Sequence, residues 1–104
     1  MARPKPTIPP PQMETAAAIM KAIAHPLRLR LLEVLEREGE LNVSALCAAT
    51  GAPQPVVSQQ LSRMRLEGVV ATRREGVSVY YRVARPEVLG VLDCIRKMGG
   101  RRRS

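Results

Sequence analysis

The stretch that decides the fold is residues 54–83, QPVVSQQLSRMRLEGVVATRREGVSVYYRV. Its first part predicts a helix over about residues 54–67, because Val57, Leu61 and Met64 recur at i, i+4 and i+7 and form one apolar stripe. The glycine that follows is a typical helix stop. The opposite side of this helix carries amides, hydroxyls and cations but no carboxylate, which suits an anionic partner.

The size and chemistry of this helix match the major groove of B-DNA. A helix of this length is roughly 21 Å long and about 10–12 Å across, and the groove is about 12 Å wide. Glutamine can bond adenine with two hydrogen bonds, arginine can bond guanine, and serine reaches bases or phosphates. An ordinary solvated helix surface is the alternative interpretation, because any amphipathic helix has a polar side.

A β-hairpin is predicted directly after the helix. Residues 69–72 and 77–83 have strand patterns, and residues 73–76 separate them as a turn. Arg73 and Arg74 are therefore expected at the tip, where they could straddle a phosphate backbone or enter a narrow minor groove. A solvated charged turn is the alternative, and a neighbouring DNA-binding helix makes it the less favoured one. The alternation predicts one packed side, Val77, Val79, Tyr81 and Val83, and one polar side, Ser78, Tyr80 and Arg82.

Composition agrees with a nucleic-acid partner. The chain has 17 Lys and Arg against 9 Asp and Glu, a net charge of +8, which favours polyanions. The basic termini are expected to add nonspecific attraction and no sequence readout. We predict that the helix and hairpin contact double-stranded DNA through Gln54, Pro55, Ser58, Gln59, Gln60, Ser62, Arg63, Arg73, Arg74, Ser78 and Tyr80.

The remaining chain predicts four more helices around this unit. A proline-rich basic arm, residues 1–11, precedes a single domain over residues 12–98, and a basic tail follows over residues 99–104. The domain is mainly α with one small hairpin, in the order α-α-α-α-β-β-α, a winged helix-turn-helix. Its additional helices are predicted over residues 12–24, 26–38, 43–50 and 86–98.

Size and inventory exclude several classes of protein. A core without Phe or Trp must be aliphatic, and 104 residues make one small domain. No apolar run approaches the roughly 20 residues that span a bilayer, and the start lacks a signal peptide, so a cytoplasmic protein with no membrane partner is expected. No nucleophile is paired with a base, and no phosphate-binding glycine loop is present, so we expect neither an enzyme nor a cofactor.

Five segments in succession resemble the signatures of the ArsR/SmtB family of bacterial repressors. They are residues 22–32 (AIAHPLRLRLL), 40–46 (ELNVSAL), 54–61 (QPVVSQQL), 66–70 (LEGVV) and 79–83 (VYYRV). The resemblance implies a homodimer formed by the first and last helices, binding of a near-palindromic operator, and release when an effector binds. For the dimer interface it implies Met13, Ala17, Met20, Val88, Val91, Leu92 and Ile95.

Many members of that family sense metals, but the ligand positions differ in this chain. The segment that resembles the cysteine-rich metalloid site keeps only Cys47, with Asn42 and Ser44 in place of the other thiols. The position that resembles the zinc site on the last helix holds Arg85, a cation that cannot be a ligand. Because a zinc site needs about four donors, we expect no metal at either position. His25, the only histidine, is expected to separate two helices rather than bind a ligand.

Two cysteines leave alternatives open. Cys47 is expected to be a small buried apolar side chain, and Cys94 lies on the last helix, at the interface or partly open. A thiol or persulfide switch that uses both is the alternative, although the family's thiol switches place one cysteine in the second helix, where Glu33 stands here. A winged-helix adaptor that contacts proteins is a further alternative, and it predicts weak duplex binding without sequence preference. The effector and operator are left open.

Overall fold

The computed structural model describes residues 3–100 as five helices and one antiparallel hairpin. This element order confirms the winged helix-turn-helix expected from the sequence. In chain order the elements are α1 (Pro10–Ile23), α2 (Pro26–Glu38), α3 (Val43–Thr50), α4 (Gln54–Leu66), β1 (Val70–Glu75), β2 (Ser78–Val83) and α5 (Pro86–Gly100). No helix in this part of the chain is long and apolar enough to cross a membrane.

The two outer helices are longer than expected. Helix α1 begins at Pro10 rather than at Gln12, with extended Pro9 as its N-cap, since a proline in the first turn gives up an N–H that has no helical partner. Helix α5 continues to Gly100, beyond the expected end at Met98. The N-terminal arm is therefore shorter than residues 1–11, and the helix takes in the first part of the expected tail. The three arginines of that tail lie outside the described residues.

Side chains with lone pairs begin the second and third helices. His25 Nδ1 accepts a hydrogen bond from the Leu27 backbone N–H at 3.1 Å, so the histidine caps α2. Asn42 Oδ1 accepts from the Ala45 N–H at 2.9 Å and caps α3 in the same way. Helix α3 then ends at Gly51, whose φ of 74° turns the chain toward α4, as the helix-turn-helix requires.

The hairpin corrects the predicted turn. Strand β1 continues through Arg73 and Arg74 to Glu75, which pairs with Ser78, so the expectation that the two arginines form the tip was wrong. The tip is Gly76 and Val77. Gly76 has a φ of 62°, and a glycine at the first loop position permits a two-residue turn that keeps the strands paired to their ends.

Val77 is consequently 96% exposed and does not join the packed side to which the alternation assigned it. The base of the hairpin is held to the loop between α2 and α3. Leu41 donates its N–H to the Tyr81 carbonyl at 3.2 Å and accepts the Tyr81 N–H at 2.8 Å. This bridge joins the backbone of the hairpin to the helical part of the domain.

The core is aliphatic and lies around α2. Leu31, Leu32 and Leu35 are buried against Leu46 of α3 and the apolar stripe of α4. No polar or charged residue of the described chain is buried as a whole, so the fold is stabilised mainly by burial of apolar area. The complete buried set is Ile19, Ala22, Ile23, Leu31, Leu32, Val34, Leu35, Leu46, Val57, Leu61, Met64, Val69, Val70, Val88 and Leu92.

Candidate nucleic-acid interface

Helix α4 is oriented by its apolar stripe. Val57, Leu61 and Met64 each have 0% exposure, which turns the opposite side of the helix outward. That side is the predicted DNA-contacting face, and most of its predicted residues are exposed. Gln54, Pro55, Gln59, Ser62 and Arg63 are exposed, and Ser58 is half-buried.

Gln60 differs from its neighbour Gln59. Its Oε1 accepts a hydrogen bond from Arg28 Nε at 2.6 Å, so its side chain is turned toward α2. The Arg28 side chain is only 14% exposed and also lies 3.7 Å from a Glu67 carboxylate oxygen, while its Nη1 donates to the Ala22 carbonyl at 2.5 Å. Gln60 therefore connects α4 to the helices behind it, and its side chain does not belong to the outward face.

The Arg73 side chain is paired with other side chains of the protein. Its Nη2 lies 2.9 Å from Glu40 Oε1 and its Nη1 lies 3.1 Å from Glu75 Oε1. The guanidinium carbon also sits 4.9 Å from the centre of the Tyr80 ring, a cation–π distance. The hydrogen bond from Arg73 lowers the pKa of Glu40, and the bonds to Glu40 and then Glu75 raise the pKa of Arg73. Two predicted contacts, Arg73 and Tyr80, thus bind each other in the free protein.

Four other arginines of this unit carry uncompensated charge. Within residues 3–100, Arg63, Arg65, Arg74 and Arg82 make no ion pair, because the bridges of this part of the chain use other arginines. Glu33 of α2 is instead paired with Arg30 and Arg37. Helix α4 and the hairpin therefore carry unpaired cations side by side.

A cleft separates the second half of α4 from the hairpin. It has a volume of about 290 Å³ and is lined by Arg65, Thr72, Arg74, Val79 and Tyr81. Only Arg74 of these was predicted as a contact. Arg65 lies on the flank of α4 rather than on its outward face, and its closeness to the hairpin depends on a packing angle that helical periodicity does not reveal. Ser78, another predicted contact, is half-buried beside the tip.

The predicted dimer residues fall into two groups. Val88 has 0% and Leu92 has 4% exposure, because both belong to the core of the protomer, so their assignment to the dimer interface was wrong. Met13 and Met20 are 53% and 57% exposed, and Ala17 is exposed on the same side of α1. On α5, Ile95 is 38% exposed and Val91 is half-buried.

The residues at the positions that resemble metal ligands make other interactions. Asn42 caps α3, and Arg85 Nη2 lies 3.3 Å from a Glu87 carboxylate oxygen. No group of three or more His, Cys, Asp and Glu residues suited to a metal occurs between residues 3 and 100. Cys47 is half-buried and Cys94 is exposed, both as free thiols, and Cys47 packs against the core.

Known proteins with similar sequences include bacterial regulators. The family model described as "Bacterial regulatory protein, arsR family" matches residues 25–72. Nodulation protein NolR of Rhizobium meliloti is 37% identical over 87 residues, which cover 84% of this chain and 70% of that protein. The transcriptional repressor PagR of Bacillus anthracis is 35% identical over 83 residues, covering 80% of this chain and 83% of PagR.

Solved structures agree in fold. The crystal structure of PagR superposes with a TM-score of 0.74 at 34% identity, covering 80% of this chain and 94% of that one. A homodimeric winged helix-turn-helix DNA-binding domain from Mycobacterium bovis, described as a possible ArsR-family transcriptional regulator, superposes with a TM-score of 0.73. Its identity is 27%, and the match covers 99% of this chain and 94% of that domain.

Proposed function

The chain belongs to the ArsR family of bacterial regulatory proteins, and on that premise we propose that it is a transcriptional repressor that binds a specific duplex DNA sequence as a homodimer. One observation carries the proposal. The buried stripe of α4 turns outward a mainly polar face without carboxylates, in which Val56 and Leu66 are the exposed apolar residues, beside arginines that have no ion-pair partner within residues 3–100. PagR, a relative, is named as a transcriptional repressor.

We assign base recognition to the outward face of α4. Helix α4 has 13 residues, about 20 Å, enough to lie along a major groove. Gln59 and Arg63 have the donor and acceptor patterns for adenine and guanine, and Ser58 and Ser62 add shorter hydrogen-bonding groups. The side chain of Gln60, which holds Arg28, is left out of this assignment.

The homodimer is proposed to form through the exposed apolar side chains of α1 and α5. Met13 and Met20 of α1 and Ile95 of α5 are exposed in the protomer, and a second copy would remove them from water. A similar domain from Mycobacterium bovis is homodimeric. Two-fold symmetry would place the two copies of α4 one DNA turn apart, about 34–36 Å, on a near-palindromic operator.

Release from DNA is proposed to follow an effector other than a metal at the family's metal positions. The oxygen of the Asn42 side chain is used in a helix cap, and Arg85, a cation, is paired with Glu87. Neither offers the donors that zinc requires. A switch through Cys47 and Cys94 is the alternative, and equal masses of reduced protein and protein treated with oxidant or persulfide would eliminate it.

We also propose a cellular location for the protein and the absence of an enzymatic activity. An operator-binding regulator works where the bacterial chromosome is, so we assign the protein to the cytoplasm. Transcriptional regulators of this kind act by occupying DNA, and family membership supports the assignment as a non-enzyme.

Selection of binding sites from randomised duplexes tests the proposal. The expected result is one enriched, near-palindromic motif whose half-sites are separated by about 10–10.5 base pairs from centre to centre. A library without any enriched motif would favour the adaptor function, in which the protein contacts other proteins. Repeating the selection with metal-loaded and with oxidised protein tests the effector assignment, because only a true effector abolishes the enrichment.

A further inference from the structure

The hairpin divides its two neighbouring arginines between opposite faces. Arg73 is paired across the strands with Tyr80, and Arg74 is paired with Val79. Because successive residues of a strand point to opposite sides, Arg73 lies on the outer face with Tyr80, while Arg74 lies on the face directed toward α4. The cleft between that face and α4 contains Arg74 and, from the helix, Arg65.

We propose that this cleft binds one phosphate group between Arg65 and Arg74, and that Arg73 positions the hairpin instead of contacting DNA. The phosphate is assigned to the backbone of the operator, and in that respect the inference rests on the proposed function. It adds a site formed by α4 and the hairpin together, which neither element supplies alone.

The lining of the cleft fits a phosphate. Two guanidinium groups approach from opposite walls, and each is a planar fork that can bond phosphate oxygens with two parallel hydrogen bonds. Thr72 and Tyr81 each carry a hydroxyl, a common donor to phosphate. No carboxylate lines the cleft, and neither arginine has an ion-pair partner within residues 3–100, so an anion has no internal competitor there.

The outer face holds the hairpin in position. Glu40 pairs with Arg73, and the adjacent residue Leu41 forms the backbone bridge with Tyr81. Two consecutive residues of one loop thus hold the outer side chains and the backbone of the hairpin. This double attachment holds the backbone of the hairpin in place before DNA arrives, which lowers the ordering cost of binding.

A phosphate scan with the selected operator tests the site. Duplexes are prepared in which one backbone phosphate at a time is replaced by an uncharged methylphosphonate. At one position of each half-site, the replacement is expected to lower the affinity of the wild-type protein for the operator about 10-fold. The same replacement is expected to change the affinity of Arg65→Ala or Arg74→Ala less than about 2-fold, since these variants have already lost the contact. Arg65→Lys and Arg74→Lys keep the charge without the fork and are expected to lie between the two.

Arg73→Ala is the matched control. It removes the neighbouring guanidinium but leaves the Leu41–Tyr81 backbone bridge, so it should still respond to the same methylphosphonate, with weaker binding of every duplex and a lower thermal midpoint of unfolding because the Glu40 bond is lost. The proposal is overturned if Arg65→Ala and Arg74→Ala still respond to every methylphosphonate as the wild type does, or if Arg73→Ala alone abolishes the response. Circular dichroism of each variant establishes that the fold is retained.

A second arm distinguishes the source of the phosphate. Replacing chloride by inorganic phosphate at constant ionic strength should change operator affinity less than about 2-fold if the cleft binds the DNA backbone. Strong competition that disappears in the Arg65→Ala, Arg74→Ala double variant would assign the cleft to a free phosphate and overturn the backbone assignment. Failure of the site is separable from failure of the proposed function, because a protein that still prefers its operator but shows no coupled phosphate retains the function and lacks the site.

Discussion

Gln59→Ala and Gln60→Ala are adjacent substitutions with different expected consequences. Gln59 is exposed on the outward face of α4, and a glutamine that bonds adenine contributes about 1–3 kcal/mol of discrimination against a wrong base. Wild-type protein should therefore distinguish the correct base from its replacement about 5- to 150-fold. Gln59→Ala should reduce that ratio to about 2-fold or less at one position of each half-site, with unfolding unchanged.

Gln60→Ala should keep base preference and lose stability. Its Oε1 is the acceptor for Arg28 Nε at 2.6 Å, and the Arg28 side chain is only 14% exposed, so water replaces the lost bond poorly. Hydrogen bonds to charged groups contribute about 1.5–3 kcal/mol. Because Arg28 retains its contacts with Ala22 and Glu67, a loss near the lower figure is expected.

The assay pairs two measurements on both variants. Affinities for the selected operator and for its single-base replacements give the discrimination ratio. Urea unfolding followed by circular dichroism gives the free energy of unfolding, at equal protomer concentration because a dimer's stability depends on it. Loss of base preference in Gln60→Ala with unchanged stability would refute the orientation of α4, and so would destabilisation by Gln59→Ala with preference intact.

Three further predictions concern the dimer, the hairpin and a helix cap. Met20→Glu places a charge on the exposed apolar side of α1 and should convert the dimer to folded monomers in sedimentation experiments, whereas a dimeric Met20→Glu protein, or equal dissociation by the control Lys21→Gln, would contradict the interface. The pKa of Glu40 is lowered from 4.5 by its bond to Arg73, so its stabilisation is complete above pH 4.5 and is lost as pH falls through the lowered value. The thermal midpoints of wild type and Glu40→Gln should therefore differ near neutral pH and converge in acid, and a difference that stays constant would exclude the pair as its cause. Asn42→Ala removes the cap of α3 and should cost about 0.5–2 kcal/mol in urea unfolding, whereas Asn42→Ser should restore most of it.

Local signals in the sequence were sufficient for most of the fold. The i, i+4, i+7 stripe of α4 predicted its buried side, and His25-Pro26 and Asn42 marked helix starts whose caps the structure contains. These features depend on neighbours within a few residues along the chain, which is why a single sequence reveals them.

The features that were not predicted depend on contacts distant in sequence. Arg73 and Glu40 are 33 residues apart, and Arg28 and Gln60 are 32 apart, so no periodicity indicates that these polar groups are already paired. The hairpin tip was misplaced because two strand patterns separated by charged residues do not reveal how far pairing continues toward a glycine turn.

Helix α5 shows why the dimer surface was only partly predictable. Apolar residues lie on more than one side of it, and a pattern does not say which side the protomer's own core takes. Val88 and Leu92 are buried within the protomer, while Ile95 and Met98 are left exposed. The packing of α5 against the protomer's own core, including α2, separates the two sets.

The central claim is that α4 recognises a DNA sequence, and the ratio of two affinities tests it most directly. Binding to the selected operator and to the same duplex with scrambled half-sites should be measured at one fixed salt concentration, because phosphate contacts make both affinities salt-dependent. The operator is expected to bind about 10³-fold more tightly or better. Equal affinities for the two duplexes would contradict sequence recognition by α4.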